Sequence, residues 1–373
     1  VATGNYNDGT AARSILAGAN VANSWRFAPG AAQTITFPTT STATLGVGII
    51  TNAGFSTTLA ATDATNSLTA AGNDLYIFVN QNTLAIQPKI IGTAALVVNG
   101  PATLSLRPTF ASNTYTGGTF VNAGTLNLQA AATFFAIPGD LTINNAAVNM
   151  STTPGQIAPT ANIFINGGGS FTLPNYSAIT TQSFVSLTFT NDGGTGNPLF
   201  AFGTPTAAST IILTSATPIT ASNDSFSTTP LLTGAAAPTL SVLQFSNASP
   251  TITVNSGLAA TGLIVSALIA DNAGMTGPII KAGAGTLALT SPESTFTKGL
   301  NLTAGSLMIG AASTGTAPTV TKGPLGTGTL TVSGGTTLLA DGTARSVANA
   351  LSVGGDFSFG GRTAGAGVVL SGA

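Results

Sequence analysis

The chain has 373 residues, of which nine are Lys or Arg, ten are Asp or Glu, and none is His or Cys. Because the side chains that usually perform acid–base catalysis or bind metal ions are scarce, this composition disfavours an enzyme. A formal net charge of −1, without any run of basic residues, also disfavours nucleic-acid binding. The lack of Cys excludes a small disulfide-linked scaffold.

Short β-strands are predicted along the whole chain. The 46 Gly and 19 Pro leave little room for helices. In chain order, the clearest segments with alternating or continuous apolar residues are 34–37, 141–143, 163–165, 184–189, 211–213, 252–254 and 330–332. The longest apolar stretch, 258–270, is interrupted by Thr, Gly and Ser and is too short to cross about 30 Å of hydrocarbon as a helix. No membrane span is therefore expected.

Three all-β architectures suit this spacing: a sandwich array, a large barrel and a parallel solenoid. An outer-membrane barrel needs strands of about ten residues and aromatic girdles, and sandwiches recur as compact domains with linkers. The composition here is uniform, which disfavours separate domains joined by linkers. A solenoid also explains the scarcity of charged residues, because charges stacked in register about 4.8 Å apart would repel each other. We therefore expect one elongated β-solenoid over residues 1–373, with about 20 to 25 residues per rung.

An internal repeat supports this expectation. Residues 114–128 alternate apolar with small polar side chains, place glycines at the bends, and recur in eroded form at 295–309. The matching pairs are Tyr115 with Phe296, Gly118 with Gly299, Val121 with Leu302, Gly124 with Gly305, Leu126 with Leu307, and Leu128 with Ile309. Similar segments, 96–106 and 279–289, precede the two copies. Motif copies are predicted near 101–150 and 283–340, with the start of a third near 365–373.

These residues resemble the autotransporter-associated β-strand repeat, also called the passenger-associated transport repeat, of long bacterial surface proteins. Residues 283–289 carry its Gly-x-Gly-Thr-Leu-x-Leu part, and 113–119 with 121–126 carry its Asn-Thr-Tyr-Thr-Gly-Gly-Thr and Val-x-x-Gly-Thr-Leu parts. The first copy departs from the pattern at Pro101 and Ala102, and the second lacks Asn-Thr-Tyr and Gly-Gly. The resemblance implies a right-handed parallel β-helix, exposed on or released from a bacterial cell, and implies no reaction.

Carboxylates are dispersed, whereas β-helix enzymes that cleave polysaccharides need them clustered. Asp63 and Asp74 form the closest useful pair, and hydrated turn residues are the favoured interpretation. The one charged cluster contains Asp341, Asp356, Arg345 and Arg362, for which salt-bridged capping of neighbouring turns is favoured. Residues 191–197 resemble a calcium loop with one carboxylate, which is too few, so a plain turn is favoured. No catalytic, cofactor-binding or metal-binding residue and no cofactor is predicted.

Two glycine pairs are also expected to be structural. The Gly117-Gly118 and Gly334-Gly335 turns need a positive φ or a close approach, and no helix or Lys follows to make a phosphate loop.

The Phe134–Phe135 pair places its rings on opposite faces if that segment is extended, so one ring should lie outside the core or in a loop. That exposed ring is a contact candidate.

Contact residues are predicted at both ends of the sequence. Trp25 and Phe27 either offer a platform for sugars or seal an early rung of the stack, which is favoured. Val368, Val369 and Leu370 form an apolar strand. We expect this strand to be continued by further repeat copies or to pair head-to-tail with residues 1–6 or 24–27 of another subunit.

The expected function is that of an extracellular structural or adhesive β-solenoid at the bacterial cell surface, within a long fibre or filament. Its expected partners are further copies of itself and surface glycans. The alternative is a β-helix that binds or degrades polysaccharides.

Overall fold

The structure, a computed structural model, describes residues 5–8, 13–52, 54–70, 72–151, 153–193, 196–204, 207–234, 241–316, 319–361 and 367–372. The chain forms two compact units, Val1–Ile163 and Phe164–Ala373. Across these described ranges every regular element is a β-strand, so the predicted all-β class is confirmed. Among the same residues there is no helix long and apolar enough to cross a membrane.

The strands of the first unit are β1 Asn5–Asp8, β2 Arg13–Ser14, β3 Ala19–Phe27, β4 Gln33–Phe37, β5 Thr42–Thr51, β6 Thr57–Ala61, β7 Ser67–Thr69, β8 Leu75–Val79, β9 Thr83–Ile86, β10 Lys89–Ile90, β11 Leu96–Asn99, β12 Thr103–Leu106, β13 Thr119–Val121, β14 Thr125–Leu128, β15 Leu141–Asn144 and β16 Ala147–Met150. Strand β17, Asn162–Asn166, includes the boundary between the units.

The strands of the second unit are β18 Ser170–Thr172, β19 Thr180–Phe184, β20 Ser186–Asn191, β21 Leu199–Ala201, β22 Ser209–Leu213, β23 Ile219–Asn223, β24 Leu231–Thr233, β25 Ser241–Phe245, β26 Thr251–Val254, β27 Leu263–Val265, β28 Leu268–Ile269, β29 Ile279–Ala282, β30 Thr286–Leu289, β31 Leu300–Leu302, β32 Ser306–Ile309, β33 Thr314–Thr316, β34 Thr319–Lys322, β35 Leu330–Val332, β36 Thr337–Ala340, β37 Arg345–Val347, β38 Leu351–Val353, β39 Ser358–Gly361 and β40 Val368–Leu370.

Parallel stacking builds the first unit. Sheet A contains β1, β3, β5, β8, β11, β13 and β15, each paired in parallel with the next. Sheet B contains β2, β4, β6, β9, β12, β14 and β16 in the same manner. Successive strands of one sheet come from successive rungs, because the chain visits the sheets in turn. This is the parallel β-solenoid that the sequence predicted.

The second unit repeats this arrangement with a third sheet. Sheet C contains β20, β23, β26, β29, β31, β35 and β38, and sheet D contains β18, β21, β24, β27, β30, β32, β36 and β39. Sheet E contains β19, β22, β25 and β28. Strands β37 and β40 pair in parallel, and β33 and β34 form an antiparallel hairpin.

Rung length varies more than the sequence predicted. In the first unit the spacing runs from 19 residues, between partners Asn5 and Ser24, to 28, between Gly48 and Tyr76. In the second unit it reaches 33, between Ile219 and Ile252. The expected 20 to 25 is therefore too short there, because these longer rungs contain an additional strand of sheet E, such as β25, together with its connections.

The core lies between the sheets of each unit and is made by the inward half of each alternating strand. Leu126 and Leu128 of β14 are fully buried, and so are Leu307 and Ile309 of β32, which confirms the predicted aliphatic interior. Leu126 lies in register with Leu104 on one side and Val148 on the other. Such in-register ladders bury apolar surface at every rung.

Aromatic rings fill part of the core of the second unit. Phe171 and Phe200, which are partners on neighbouring strands, stack with their centroids 5.1 Å apart. Phe184 meets Phe171 edge-on at 6.1 Å. Both arrangements are favoured geometries for aromatic pairs.

Glycine is required at the repeated bends. Gly124 and Gly305 have φ of 74° and 68°. A Cβ on Gly124 would lie 2.3 Å from the carbonyl oxygen of Gly100, and one on Gly305 would lie 2.5 Å from that of Gly283. Gly118 and Gly335 also have positive φ, which confirms the structural interpretation of their turns.

Candidate functional site

One outward surface of sheet A carries large apolar side chains. Strand β8 alternates, so that Leu75, Ile77 and Val79 point into the core while Tyr76 and Phe78 are 46% and 42% exposed. Outward positions elsewhere in these sheets are mostly Thr, Ser or Asn. The paired outward rings of one strand are therefore a departure from the general surface of the protein.

Strand register extends these rings into a continuous surface. Tyr76 is the partner of Val97, and Val97 is the partner of Phe120, which is 38% exposed. In the adjacent row Phe78 lies between Ile50 and Asn99. Val97 points outwards but is only 9% exposed, since the strands on either side of it carry Tyr76 and Phe120 in the same row. We call Ile50, Tyr76, Phe78, Val97, Asn99 and Phe120 the aromatic face.

Amide side chains lie on the same outward surface at the ends of the strands. Asn80 Nδ2 donates to Asn52 Oδ1 at 2.6 Å, from one rung to the next. Asn144 Nδ2 donates to Asn122 Oδ1 at 2.8 Å. These planar, uncharged groups hold both donors and acceptors beside the rings.

The predicted N-terminal contact residues lie inside the first unit. Trp25 is 5% exposed, Phe27 is fully buried, and Trp25 meets Phe37 edge-on at 6.2 Å. Their strand β3 is paired on both sides, with β1 and with β5. This placement agrees with the packing alternative; a role of either ring in subunit contact stays a prediction.

A cavity of about 550 Å³ lies beside these rings. Trp25 and Ile35 contribute to its lining, as does Leu16, which is 78% exposed. Arg13, also in the lining, follows directly on residues 9–12, which are outside the described residues.

The predicted C-terminal contact strand is β40. Val368 is buried, Val369 is 56% exposed and Leu370 is half-buried. The strand pairs in parallel with β37, with Val369 opposite Ser346. Residues 365, 366 and 373 of the predicted third copy lie outside the described residues.

The predicted acidic pair consists of two separate turn residues. Asp63 Oδ1 accepts from the backbone N–H of Thr65 at 2.8 Å and from the Thr65 hydroxyl, and the latter hydrogen bond lowers the pKa of Asp63. Asp74 accepts from the backbone N–H of Ala95 at 3.0 Å. Both carboxylates therefore hold backbone in place.

The predicted charged cluster contains one close ion pair. Arg345 Nη2 lies 2.6 Å from Asp341 Oδ2, and this hydrogen bond lowers the pKa of Asp341. Asp356 is exposed, and Arg362 lies outside the described residues. In the part of the chain that is described, no three His, Cys, Asp or Glu residues lie close enough to hold a metal ion.

The predicted polar turn at 191–197 begins with a core amide. Asn191, the last residue of β20, is 1% exposed and donates to Asn223 Oδ1 at 2.8 Å and to the Thr228 carbonyl at 3.1 Å. Its side chain is directed inwards, and residues 194–195 lie outside the described residues. Phe134 and Phe135 lie in the loop between β14 and β15, which is one of the two predicted placements, and both rings are half-buried.

Comparison with known protein families identifies the repeats. Residues 96–128 and 279–309 match the family model of the passenger-associated-transport-repeat. Each of the two internal repeats thus contains a segment similar to this family. Both matches begin a few residues before the predicted copies and end earlier. No curated protein and no solved structure matches the chain.

The two repeats differ at one buried position that the sequence analysis did not single out. Val98 in the first repeat and Lys281 in the second both face the core. Lys281 Nζ donates to the carbonyls of Ala282, Gly283 and Ala304 at 3.0, 2.7 and 2.9 Å. Burial lowers the pKa of Lys281 to about 8. The alternation of β29, with Ile279 inward, is the signal that identifies this lysine as buried.

Proposed function

We propose that this chain is a structural or adhesive β-solenoid segment of a long fibre at the surface of a bacterial cell. The observation that carries the proposal is the parallel register of rung on rung in each unit, combined with the two segments similar to the passenger-associated-transport-repeat. A solenoid whose rungs repeat can be lengthened by adding rungs, since each rung contacts only its neighbours.

The outward surface supports the same proposal. Its coat of Thr, Ser and Asn hydrates the protein without charges that would repel from rung to rung. Three of its carboxylates, those of Asp63, Asp74 and Asp341, are engaged with backbone or with Arg345. We accordingly propose that the chain does not hydrolyse or eliminate polysaccharides.

Extension of the stack, by further repeats or by head-to-tail pairing of subunits, is the proposed mode of assembly. A terminal rung of any solenoid presents unpaired N–H and C=O groups that a further strand can satisfy. Val369, exposed on β40, is the proposed contact side chain at one end.

The assembly proposal is tested by negative-stain microscopy and sedimentation of the purified chain. Filaments or concentration-dependent oligomers are expected, and Val369→Lys should reduce them. Leu258→Lys, at a loop residue that is 64% exposed, is the matched control and should leave assembly unchanged. A monomer at every concentration would contradict head-to-tail pairing.

The location is tested on intact cells of the source bacterium. An antibody against the chain should label unpermeabilised cells or the medium, and external protease should remove the cell-bound signal. Signal only after permeabilisation would refute a surface role.

A further inference from the structure

We propose that the aromatic face of sheet A binds an extended, neutral, β-1,4-linked polysaccharide. The inference rests on the adhesive function proposed above and gives it a site and a class of ligand. Its basis is the juxtaposition of Tyr76, Phe78 and Phe120 with outward asparagines on one surface of sheet A in the first unit.

The aromatic face is chemically complementary to the apolar sides of pyranose rings. The C–H groups on a sugar ring are weakly positive and apolar, and they pack against the negative face of an aromatic ring. Sugar hydroxyls around that contact need both donors and acceptors, which amide side chains provide. Asn99 lies beside Phe78, and the Asn52–Asn80 and Asn122–Asn144 pairs lie at the ends of the same strands.

The dimensions also fit a glycan chain. Tyr76 and Phe120 are two rungs apart, which is about 9.6 Å at the usual strand spacing, a distance comparable to one disaccharide repeat of an extended chain. Val97 fills the rung between them and keeps the surface continuous. Because the row follows in-register partners on successive parallel strands, it suits an extended, ribbon-like β-linked chain better than a coiled one.

Charge distinguishes a neutral from an acidic polysaccharide. None of the six residues of the aromatic face is charged. The charged side chain in register with the face is Arg26, the partner of Ile50 at the edge of one row. An acidic glycan would need cations along its length, and this surface does not supply them.

Area argues against a second copy of the chain as the occupant. Three rings of about 150–250 Å² each, exposed to about 40%, present roughly 250 Å². A stable protein–protein interface buries about 800 Å² per partner. The aromatic face alone is far below this, but is adequate for a few sugar rings.

The test is calorimetric titration of the purified chain with cellohexaose and chitohexaose, with polygalacturonate as the acidic comparison. Binding of at least one neutral hexasaccharide is expected. The double variant Tyr76→Thr/Phe120→Thr should weaken it by about tenfold or more. Thr142 already occupies the next outward position of this row, so Thr suits the strand and the melting temperature should be retained.

Phe226→Thr is the matched control, since Phe226 is an 82% exposed ring outside the aromatic face and should not affect binding. The proposal is overturned by a lack of binding to both hexasaccharides at millimolar concentration, or by equal binding of the double variant. Equal affinity for polygalacturonate, or a dimer that the double variant abolishes, would also overturn it. Filament formation and surface labelling do not involve these rings. A negative result in either of those tests can therefore be distinguished from a failure of glycan binding.

Discussion

The phenol of Tyr115 and the hydroxyl of Thr119 form a hydrogen bond of 2.6 Å in the core of the first repeat. Both side chains are buried, and burial raises the pKa of Tyr115. In the second repeat the corresponding residues are Phe296 and Leu300, which are buried and apolar. One repeat thus has a satisfied polar pair where the other has none.

This relationship predicts a coupled effect of substitution. Tyr115→Phe leaves the Thr119 hydroxyl without its partner and should lower the free energy of unfolding by about 1–3 kcal/mol. Thr119→Val should cost a similar amount. The double variant imitates the second repeat and should cost less than the two single costs combined. Urea unfolding of the four proteins measures the coupling, and simple additivity would contradict it.

A second prediction concerns the aliphatic ladder. Leu126→Asp places an unpaired carboxylate between Leu104 and Val148 and should destabilise the first unit by more than about 3 kcal/mol. The neighbouring Asn127→Asp is the control, because its oxygen already accepts a hydrogen bond from Asn149 at 3.2 Å. Thermal melts compare the two. An unchanged melting temperature of Leu126→Asp would remove this residue from the core.

A third prediction concerns the repeated bends. Gly124→Ala requires a positive φ of 74° and brings Cβ into contact with backbone carbonyls, so a loss of at least about 2 kcal/mol is expected. Gly139→Ala is the control, since its new methyl group would have no described atom within 4 Å beyond its chain neighbours. The free energies of unfolding in urea should separate the two variants clearly. Equal losses would show that the bend adapts.

A fourth prediction is a pH dependence due to Lys281. Its pKa is lowered from 10.5 to about 8 in the folded state, so between these values the unfolded chain binds more protons. Stability should therefore rise with pH over that window, relative to Lys281→Met. Urea unfolding of both proteins at pH values from 7.5 upwards, at intervals of about half a unit, measures the difference in their free energies of unfolding.

The control for this prediction is Val98→Met, at the equivalent position of the first repeat. The difference in the free energy of unfolding between Val98→Met and the wild-type protein should not change over the same pH window, because this substitution involves no titratable group. If the difference between the wild-type protein and Lys281→Met is also constant, the lysine does not titrate as its burial requires.

The fold could be predicted because its signals are local. Alternation assigned Leu126 and Leu128 to the interior, and the bends at Gly118 and Gly124 followed from glycine spacing in the two copies. Rung length could not be predicted in the second unit, because the pairing of short strands such as β22 and β25 into a third sheet depends on the register between rungs.

The candidate site could not be predicted from the sequence either, because it depends on the register between successive rungs. The unbroken apolar run Leu75–Val79 implies that one face of its strand exposes rings. That Phe120 lies in the same row as Tyr76 depends on the register of two successive rungs. Trp25 lies in the core, in agreement with the favoured packing interpretation, and its role in subunit contact stays a prediction.

The variable rung length has a consequence for engineering. Between Ile219 and Ile252 the chain accommodates 33 residues where other rungs need about 20, and the partners on each side remain in register. Foreign peptides grafted at the exposed Phe226, between β23 and β24, should be displayed as long as the hydrogen bonds of Asn191 and Asn223 to Thr228 are kept. The scaffold thus offers an epitope-carrier position whose capacity is set by the loop rather than by the core.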